Sequence, residues 1–419
     1  MLSIARLIPS GSGWLIGASA LTSVSQGIYV LILARALGAE QFGLFSGALA
    51  LTAVFASVAG LGGGHVMVMR VSRAREVYRK QFGAALFYVS LTLIPLATLV
   101  LGITALSGER ILLVVLPLLI SELVFSRVFD LGLQSFQSHD RLQGNALFTA
   151  GAALGRLAVT TIFVSAGGQD AMHWAIAYTA YSGLLALLIL LVSCHTFGRP
   201  RWSAGTLRTA WKTGMFFSLG MASRSAYSES DKFLLLQFEL AQDAGQYSVA
   251  HRLMGFAFVP IQMMIYAANT RLYRAGAAGF QSAWIEMKRL LILILAYSAL
   301  AAVGLILCAP VLPLLLGESY ARIPEMAVYF APIVFSQGMH YLFGDALMGL
   351  GKQVWRSVCQ AAIAVASIVA NILLIPHIGW QGAALVALVS SFALALILAA
   401  VFAIGYWKER RSVVPEDWP

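Results

Sequence analysis

Apolar residues fill this chain in long blocks, and polar residues are largely confined to short intervals between the blocks. Twelve blocks reach the roughly 20 residues that a helix needs to span a bilayer. The pattern therefore predicts an all-α integral membrane protein with about twelve transmembrane helices. The predicted spans lie near residues 11–34, 43–66, 82–105, 111–134, 144–166, 173–194, 214–238, 246–270, 290–316, 326–348, 357–376 and 382–406.

The connecting segments suggest that the chain has two halves. The two longest are 195–213 and 271–289, and the first separates six predicted helices from the next six. Residues 43–48 (GLFSGA) resemble residues 245–250 (GQYSVA), and each segment begins the second helix of its half. Transporters often contain such internal repeats. We therefore predict two pseudo-symmetric six-helix lobes, residues 1–200 and residues 201–419.

Composition and charge place the chain in a membrane and orient it. A hydrophobic content of 59% and a mean hydropathy of +0.81 exclude an ordinary soluble domain of this size. Twenty of the 28 Lys and Arg residues fall in alternate connecting segments and at the termini, three on the opposite side and five within the spans. The positive-inside rule then places both termini in the cytoplasm. It also explains the net charge of +10, so no nucleic-acid partner is predicted.

Span seven carries the densest group of intramembrane charges. Arg224, Ser228 and Asp231 follow one another at i, i+4 and i+7 and share a helical face. Lys232 lies three and four residues after Glu229 and Ser228 and can reach both. Such a face avoids lipid, so it either lines a cavity or forms ion pairs that neutralise one another.

Three other spans contain single charges or pairs. In span four, Arg127 precedes Asp130 by three residues and either forms a local ion pair with it or faces a cavity. Arg156, in span five, can pair with an acid from span four, whose acidic residues are Glu122 and Asp130. Arg252, in span eight, either faces a cavity or extends towards the lipid headgroups.

These side chains predict two kinds of binding. Arginine suits phosphate and carboxylate groups because its planar guanidinium donates two parallel hydrogen bonds. Buried carboxylates can instead bind protons or sodium. The substrate-binding candidates are Arg224, Asp231, Lys232, Arg252, Arg127 and Arg156. The coupling-ion candidates are Glu229, Asp231 and Glu122. Asp345, near the inner end of span ten, is predicted to face water.

Motifs for other kinds of chemistry are missing from the sequence. There is no Walker motif for ATP, no HExxH motif and no ligand spacing typical of a metal site. Cys194, Cys308 and Cys359 are too scattered to suggest a disulfide framework. The predicted outer loops are about ten residues or fewer, too short for the active site of a membrane polymerase or ligase. We therefore predict neither a cofactor nor an enzymatic activity.

Four segments resemble those of polysaccharide flippases, which belong to the multidrug/oligosaccharidyl-lipid/polysaccharide exporter superfamily. Residues 371–384 resemble the segment that joins spans eleven and twelve in that family, and residues 314–320 resemble its turn after span nine. Residues 230–235 together with residues 245–253 resemble its span seven–eight hairpin, and residues 37–45 resemble its turn between spans one and two. The matched segments are distributed over the whole chain.

This resemblance implies a function and a mechanism. Flippases of this kind move a lipid-linked oligosaccharide, on a polyprenyl pyrophosphate carrier, across a bacterial inner membrane by alternating access of two lobes. Surface glycans such as O-antigen, lipopolysaccharide or exopolysaccharide are then built by a polysaccharide polymerase and chain-length machinery, which are implied partners together with membrane lipids. The polar residues of the matched hairpin are Asp231, Lys232 and Arg252. A cation-coupled multidrug exporter and a membrane scaffold for glycan synthesis remain alternatives.

Overall fold

The computed structural model describes residues 12–105 and 108–413, and all regular structure within these ranges is helical. Long helices follow one another with short connections, as expected for a membrane bundle. In chain order they are α1 Ser12–Ala56, α2 Gly63–Val71, α3 Tyr78–Ala105, α4 Glu109–Ile120, α5 Ser126–Ser138, α6 Leu142–Ser165, α7 Ala171–Phe197, α8 Ala204–Gln237, α9 Ala241–Ala277, α10 Phe280–Cys308, α11 Val311–Leu316, α12 Ile323–Gly349, α13 Gln353–Ile378 and α14 Trp380–Val413.

Two of the predicted spans share helix α1, which bends at Gly38. The φ of this residue is 72° and its ψ is 169°, so the helical hydrogen-bond pattern is interrupted there. Glycine adopts such a conformation without the Cβ clash that other residues suffer. The first predicted span therefore ends at this bend, and the second begins after it.

The second span is broken again before its end. Helix α1 stops at Ala56, residues 57–62 form a turn, and α2 begins at Gly63. Leu61 has a φ of 45°, between Gly60 at 78° and Gly62 at 60°. A left-handed conformation is uncommon for a leucine and is costly. This broken region is one wall of the cavity described below.

Nine helices in the described ranges are long and apolar enough to cross a membrane. The chain is thus a multi-pass membrane protein, and the predicted all-α class is confirmed. Helices α8 and α12 coincide with predicted spans seven and ten but are less apolar. The charges of α8 and the Ser, Gln, His and Asp residues of α12 explain this difference.

The chain forms two compact units, Met1–Ser225 and Ala226–Pro419, hereafter the N-terminal unit and the C-terminal unit. In the N-terminal unit, α1 packs against α4, α6 and α7. In the C-terminal unit, α12 packs against α9, α10 and α14. The boundary between the units falls inside α8, at residue 225, whereas the sequence placed it after residue 200.

Contacts with α3 explain the later boundary. The backbone NH of Arg201 donates to the carbonyl of Arg79 at 2.8 Å, and the Arg79 Nε donates to the carbonyl of Arg199 at 3.0 Å. The Trp202 ring meets the Phe87 ring edge-on at 4.9 Å. The hydroxyl of Tyr88 also donates to the carbonyl of Leu207. The connecting segment and the start of α8 are therefore attached to the N-terminal unit.

Candidate functional site

The charged stretch of α8 is held by bonds within its own helix. The Lys232 Nζ lies 2.6 Å from the Glu229 Oε2 and 3.1 Å from the carbonyl oxygen of Ser228. These are the two contacts that the i−3 and i−4 spacing predicted. Only 8% of the Lys232 side chain is exposed, against 30% for Glu229. The ammonium group of Lys232 is therefore buried, and both of these contacts are to residues of its own helix.

Asp231 is paired with a tyrosine from the next helix. Its Oδ2 accepts a hydrogen bond from the Tyr247 hydroxyl at 2.5 Å, and its Oδ1 accepts one from the backbone NH of Lys232 at 2.8 Å. Asp231 and Tyr247 are both buried. Because the two side chains belong to α8 and α9, this bond joins the two helices of the matched hairpin.

Helix α9 adds two more basic residues to this region. His251 lies one turn after Tyr247, and its ring meets the Phe330 ring edge-on at 5.7 Å. Glu229, Lys232 and Arg252 are close enough to His251 to interact with it electrostatically. We define the C-terminal charge cluster by the members Glu229, Asp231, Lys232, Tyr247, His251 and Arg252.

A separate ion pair joins α12 and α13. The Arg356 Nη1 lies 2.6 Å from the Asp345 Oδ1, and these side chains are only 17% and 12% exposed. Asp345 was expected to face water, but it is instead buried against Arg356. The sequence prediction failed here because the arginine comes from the following helix, 11 residues away.

In the N-terminal unit, Glu122 lies in a turn of π-helix formed by Ser121–Phe125 between α4 and α5. Such turns often occur at functional sites. The Glu122 Oε1 accepts hydrogen bonds from the Tyr178 hydroxyl at 3.0 Å and from the Ser126 hydroxyl at 3.2 Å. The carboxylate is therefore held by two hydroxyl groups.

Arg156 lies against the same tyrosine. Its guanidinium carbon is 5.2 Å from the centre of the Tyr178 ring and 5.7 Å from that of Tyr29. These distances are typical of cation–π contacts. Glu122 also interacts electrostatically with Arg156, as the sequence had suggested for an acid of span four. We call Tyr29, Tyr178, Glu122 and Arg156 the tyrosine cage.

A polar cavity of about 330 Å³ lies elsewhere in the N-terminal unit, between the broken region of residues 57–65 and helix α5. Arg127 and Asp130 line it, and their side chains form an ion pair of 3.1 Å. This confirms the pairing that the sequence left as one alternative. We define the N-terminal cavity by its polar lining residues, which include His65, Arg127, Asp130, Gln134, Gln137 and Asn145.

The remaining substrate candidate is Arg224, an exposed residue of α8. Helix α8 runs unbroken from Ala204 to Gln237, so Arg224, Ser228 and Asp231 keep the helical register that the periodicity predicted. By contacts, Arg224 belongs to the N-terminal unit and Asp231 to the C-terminal unit. The structure thus groups Arg252 with Asp231, Lys232 and Glu229, and groups Arg156 with Glu122.

The sequence of the chain matches the model of a known protein family. The family described as polysaccharide biosynthesis protein matches residues 9–270, more than half of the sequence. The chain belongs to this family. The match begins in the first predicted helix and extends through most of α9. It therefore contains both the N-terminal cavity and the polar residues of the α8–α9 hairpin.

Solved structures show which fold this polysaccharide biosynthesis protein has. A structure of the lipid II flippase MurJ, in an inward closed conformation, is 14% identical with a TM-score of 0.75 and covers 93% of this chain and 87% of its own. An inward-facing multidrug resistance MATE family transporter of the MOP superfamily is 16% identical with a TM-score of 0.72, covering 94% and 96%.

A third structure, the eukaryotic MATE transporter AtDTX14, is 16% identical with a TM-score of 0.67 and covers 95% of this chain and 97% of its own. Identities this low establish the fold, which is that of MOP-superfamily transporters. A search of curated proteins finds no match to the chain. The chain is thus a member of the polysaccharide biosynthesis family that has the fold of MOP-superfamily transporters.

Several polar residues near these sites are not recognisable from the sequence, because each is an ordinary helix residue when taken by itself. Gln134 and Gln137 follow Arg127 and Asp130 at helical spacing, so one face of α5 carries a continuous polar stripe into the cavity. That spacing is a signal that could have identified the cavity wall. No such signal exists for Tyr178 and Tyr247, which meet their carboxylates only through tertiary packing.

Proposed function

We propose that this protein moves a lipid-linked oligosaccharide, carried on a polyprenyl pyrophosphate, from the cytoplasmic to the outer leaflet of a bacterial inner membrane. The observation that carries the proposal is a cavity with charged and amide side chains in its wall, inside a bundle of apolar helices, in a chain of the polysaccharide biosynthesis family. An intramembrane cavity with charged walls is a site for a polar cargo. The structural similarity to the lipid II flippase MurJ gives further support.

In this mechanism the basic side chains contact the charged part of the substrate while the lipid tail stays in the bilayer. Arg224 and Arg252 are the leading candidates for the pyrophosphate or for acidic sugars. Arg224 is an exposed residue of α8, and Arg252 lies in the C-terminal charge cluster near Glu229. Arg127, Arg156 and Lys232 have partners that would have to be exchanged or shared with the substrate.

The acidic residues are the proposed coupling sites. Glu229 is the most accessible of the three candidates, with 30% of its side chain exposed, and protonation of its carboxylate would weaken the contact with Lys232. Glu122 and Asp231 are more buried and each accepts a tyrosine hydrogen bond. We propose that alternating access couples the binding of an ion by these carboxylates to substrate movement.

A strain that lacks the gene tests the proposal. We expect lipid-linked oligosaccharide to accumulate and surface polysaccharide to fall, with both restored by the wild-type gene and not by Arg252→Ala or Arg224→Ala. Arg75→Gln is a suitable control because Arg75 forms an exposed ion pair with Asp140. All variants must reach the membrane at wild-type levels. Unchanged lipid-linked intermediates and surface glycan in the deletion strain would contradict the proposal.

A second candidate is a cation-coupled multidrug exporter, because the solved structures with this fold include MATE transporters. The same deletion strain separates the two functions. Hypersensitivity to cationic drugs with normal glycan would favour export. A scaffold function, with the polymerase and chain-length machinery as partners, predicts instead that cavity variants keep full activity.

Reporter fusions to both termini test the proposed orientation, in which the N-terminus and the C-terminus both lie in the cytoplasm.

A further inference from the structure

The charge of the N-terminal cavity is almost balanced. Its lining includes one arginine and one aspartate, and these two side chains are paired with each other at 3.1 Å. The remaining polar lining residues are uncharged or, in the case of His65, neutral at their ordinary protonation near pH 7. A ligand group with several negative charges would be attracted by the guanidinium of Arg127 and repelled by the neighbouring carboxylate of Asp130. The cavity is therefore poorly suited to a pyrophosphate.

The hydrogen-bonding groups of the cavity suit a different ligand. Gln134, Gln137 and Asn145 each have an amide oxygen that accepts and an amide nitrogen that donates hydrogen bonds. The Asn145 amide nitrogen donates to the carbonyl of Leu133 at 3.1 Å, which fixes the orientation of this side chain. The Arg127 Nε is buried and has no hydrogen-bond partner in the structure. Closely spaced donors and acceptors match the hydroxyl groups of a sugar ring, since each hydroxyl both donates and accepts.

Glycine residues form much of the cavity wall at the helix break. Gly60, Gly62, Gly63 and Gly64 line it beside Ser57 and Ala59, and they allow neighbouring helices to pack closely. A Cβ atom at Gly64 would overlap the amide of Gln134. The volume of about 330 Å³ is at the lower end of the range of roughly 300–1,000 Å³ for ligand sites, so the space suits a compact group.

We propose that the N-terminal cavity is a sugar site that binds an uncharged, hydroxyl-rich portion of the substrate, and that it leaves the pyrophosphate to other residues. The inference rests on the proposed function and deepens it, because it separates recognition of the glycan from recognition of the lipid carrier. Gln134 and Gln137 contact the hydroxyl groups, and the Arg127–Asp130 pair supplies a donor and an acceptor side by side.

Binding to the purified, full-length protein tests this assignment. One probe is the lipid-free oligosaccharide released by mild acid from the lipid-linked pool of the host strain. The other two are farnesyl pyrophosphate and inorganic pyrophosphate, which contain no sugar. The test variant is Gln134→Met/Gln137→Met, which keeps side-chain volume and removes both amides. Gln337→Met, an amide substitution in the C-terminal unit, is the matched control, and both proteins must show the wild-type melting temperature.

We expect the double variant to bind the oligosaccharide at least about tenfold more weakly than wild type, the loss expected for two hydrogen bonds. Its affinity for farnesyl pyrophosphate should stay within twofold, and Gln337→Met should match wild type for every probe. Gly64→Ala, which displaces the Gln134 amide, should weaken oligosaccharide binding in the same way. Should the double variant lose pyrophosphate affinity instead, the cavity would be a phosphate site and the assignment would be overturned.

Two further results separate this inference from the proposed function. A wild-type protein that binds farnesyl pyrophosphate but no oligosaccharide, or a double variant with unchanged oligosaccharide affinity, would overturn the sugar site even if the deletion strain accumulates lipid-linked intermediate. Conversely, oligosaccharide binding could depend on the two amides while the deletion strain has normal lipid-linked intermediates and surface glycan. That combination would support the sugar site and reject flipping as the function.

Discussion

The C-terminal charge cluster and the N-terminal cavity differ in how their charges are compensated. In the C-terminal unit, Lys232 contacts Glu229 at 2.6 Å and Asp231 accepts the Tyr247 hydroxyl at 2.5 Å, so short bonds inside the unit satisfy the charges. In the N-terminal unit, the ion pair of Arg127 and Asp130 lines a cavity and is 22% and 44% exposed. Span seven, which has the most charged residues of any span, is therefore also where the charges have the closer partners within the protein.

This difference teaches how to weigh an intramembrane charge. A charged residue is costly in a membrane, but either a partner or a ligand can compensate for it. A short, buried contact with a neighbour indicates structural stabilisation, whereas an accessible pair on a cavity wall indicates a binding surface. The comparison predicts that substitutions of Lys232 and Tyr247, which make the short contacts of the C-terminal charge cluster, affect stability most. Substitutions in the N-terminal cavity should affect binding most.

The largest expected effect on stability is that of Lys232→Met. This change leaves Glu229 without its closest cation, and removal of one member of a buried ion pair costs about 3–5 kcal/mol. Because 30% of the Glu229 side chain is exposed, we expect about 3 kcal/mol. Thermal unfolding of the purified variant in detergent would measure the loss.

The double variant Glu229→Gln/Lys232→Met serves as its control. We expect it to recover most of the lost stability, because Glu229 is then neutral and no longer lacks its closest cation. Equal melting temperatures for the single and double variants would show that the unpaired Glu229 carboxylate is not the cause of the loss.

An intermediate effect is expected at the two tyrosine–carboxylate bonds. Tyr247→Phe removes the 2.5 Å bond to Asp231, and Tyr178→Phe removes the 3.0 Å bond to Glu122. Hydrogen bonds to charged groups contribute about 1.5–3 kcal/mol, and short ones are the stronger. We expect a loss of about 2 kcal/mol for Tyr247→Phe and about 1 kcal/mol for Tyr178→Phe. Thermal unfolding of the two variants measures these losses. A larger loss for Tyr178→Phe than for Tyr247→Phe would contradict the expected order.

The smallest effect on stability is expected for Arg127→Gln. Its ion pair with Asp130 is partly exposed, and such pairs contribute about 0–1 kcal/mol. Arg75→Gln, which breaks an exposed pair with Asp140 at 3.2 Å, should behave alike in unfolding experiments. The two should differ in binding, since only Arg127 lines the cavity. Equal oligosaccharide affinity in both variants would remove Arg127 from the proposed sugar site.

The class of fold could be predicted from the sequence, because hydrophobic periodicity and segment length determine which helices can span a bilayer. The breaks inside the spans were harder to predict. Gly38 and the turn at residues 57–62 interrupt helices whose composition looks continuous. The division by contacts at residue 225 depends on backbone contacts such as that of Arg201 with Arg79, and no pattern along the sequence indicates them.

The candidate site was predictable only where its partners are close in sequence. The spacing of Lys232 after Glu229, and of Asp130 after Arg127, indicated contacts that the structure contains. The pairing of Asp231 with Tyr247 and of Arg156 with Tyr178 depends on helices packing together, and periodicity along one helix contains no information about that. The assignment of these residues to substrate or coupling ion stays a prediction until the variants are measured.

The tyrosine cage has a consequence for competition between ligands. Tyr29 and Tyr178 form a surface that attracts cations, and the guanidinium of Arg156 already occupies it. A tethered group competes at a high effective concentration that never falls through dilution. An organic cation that approached the faces of these two rings would have to displace a competitor that belongs to the protein itself.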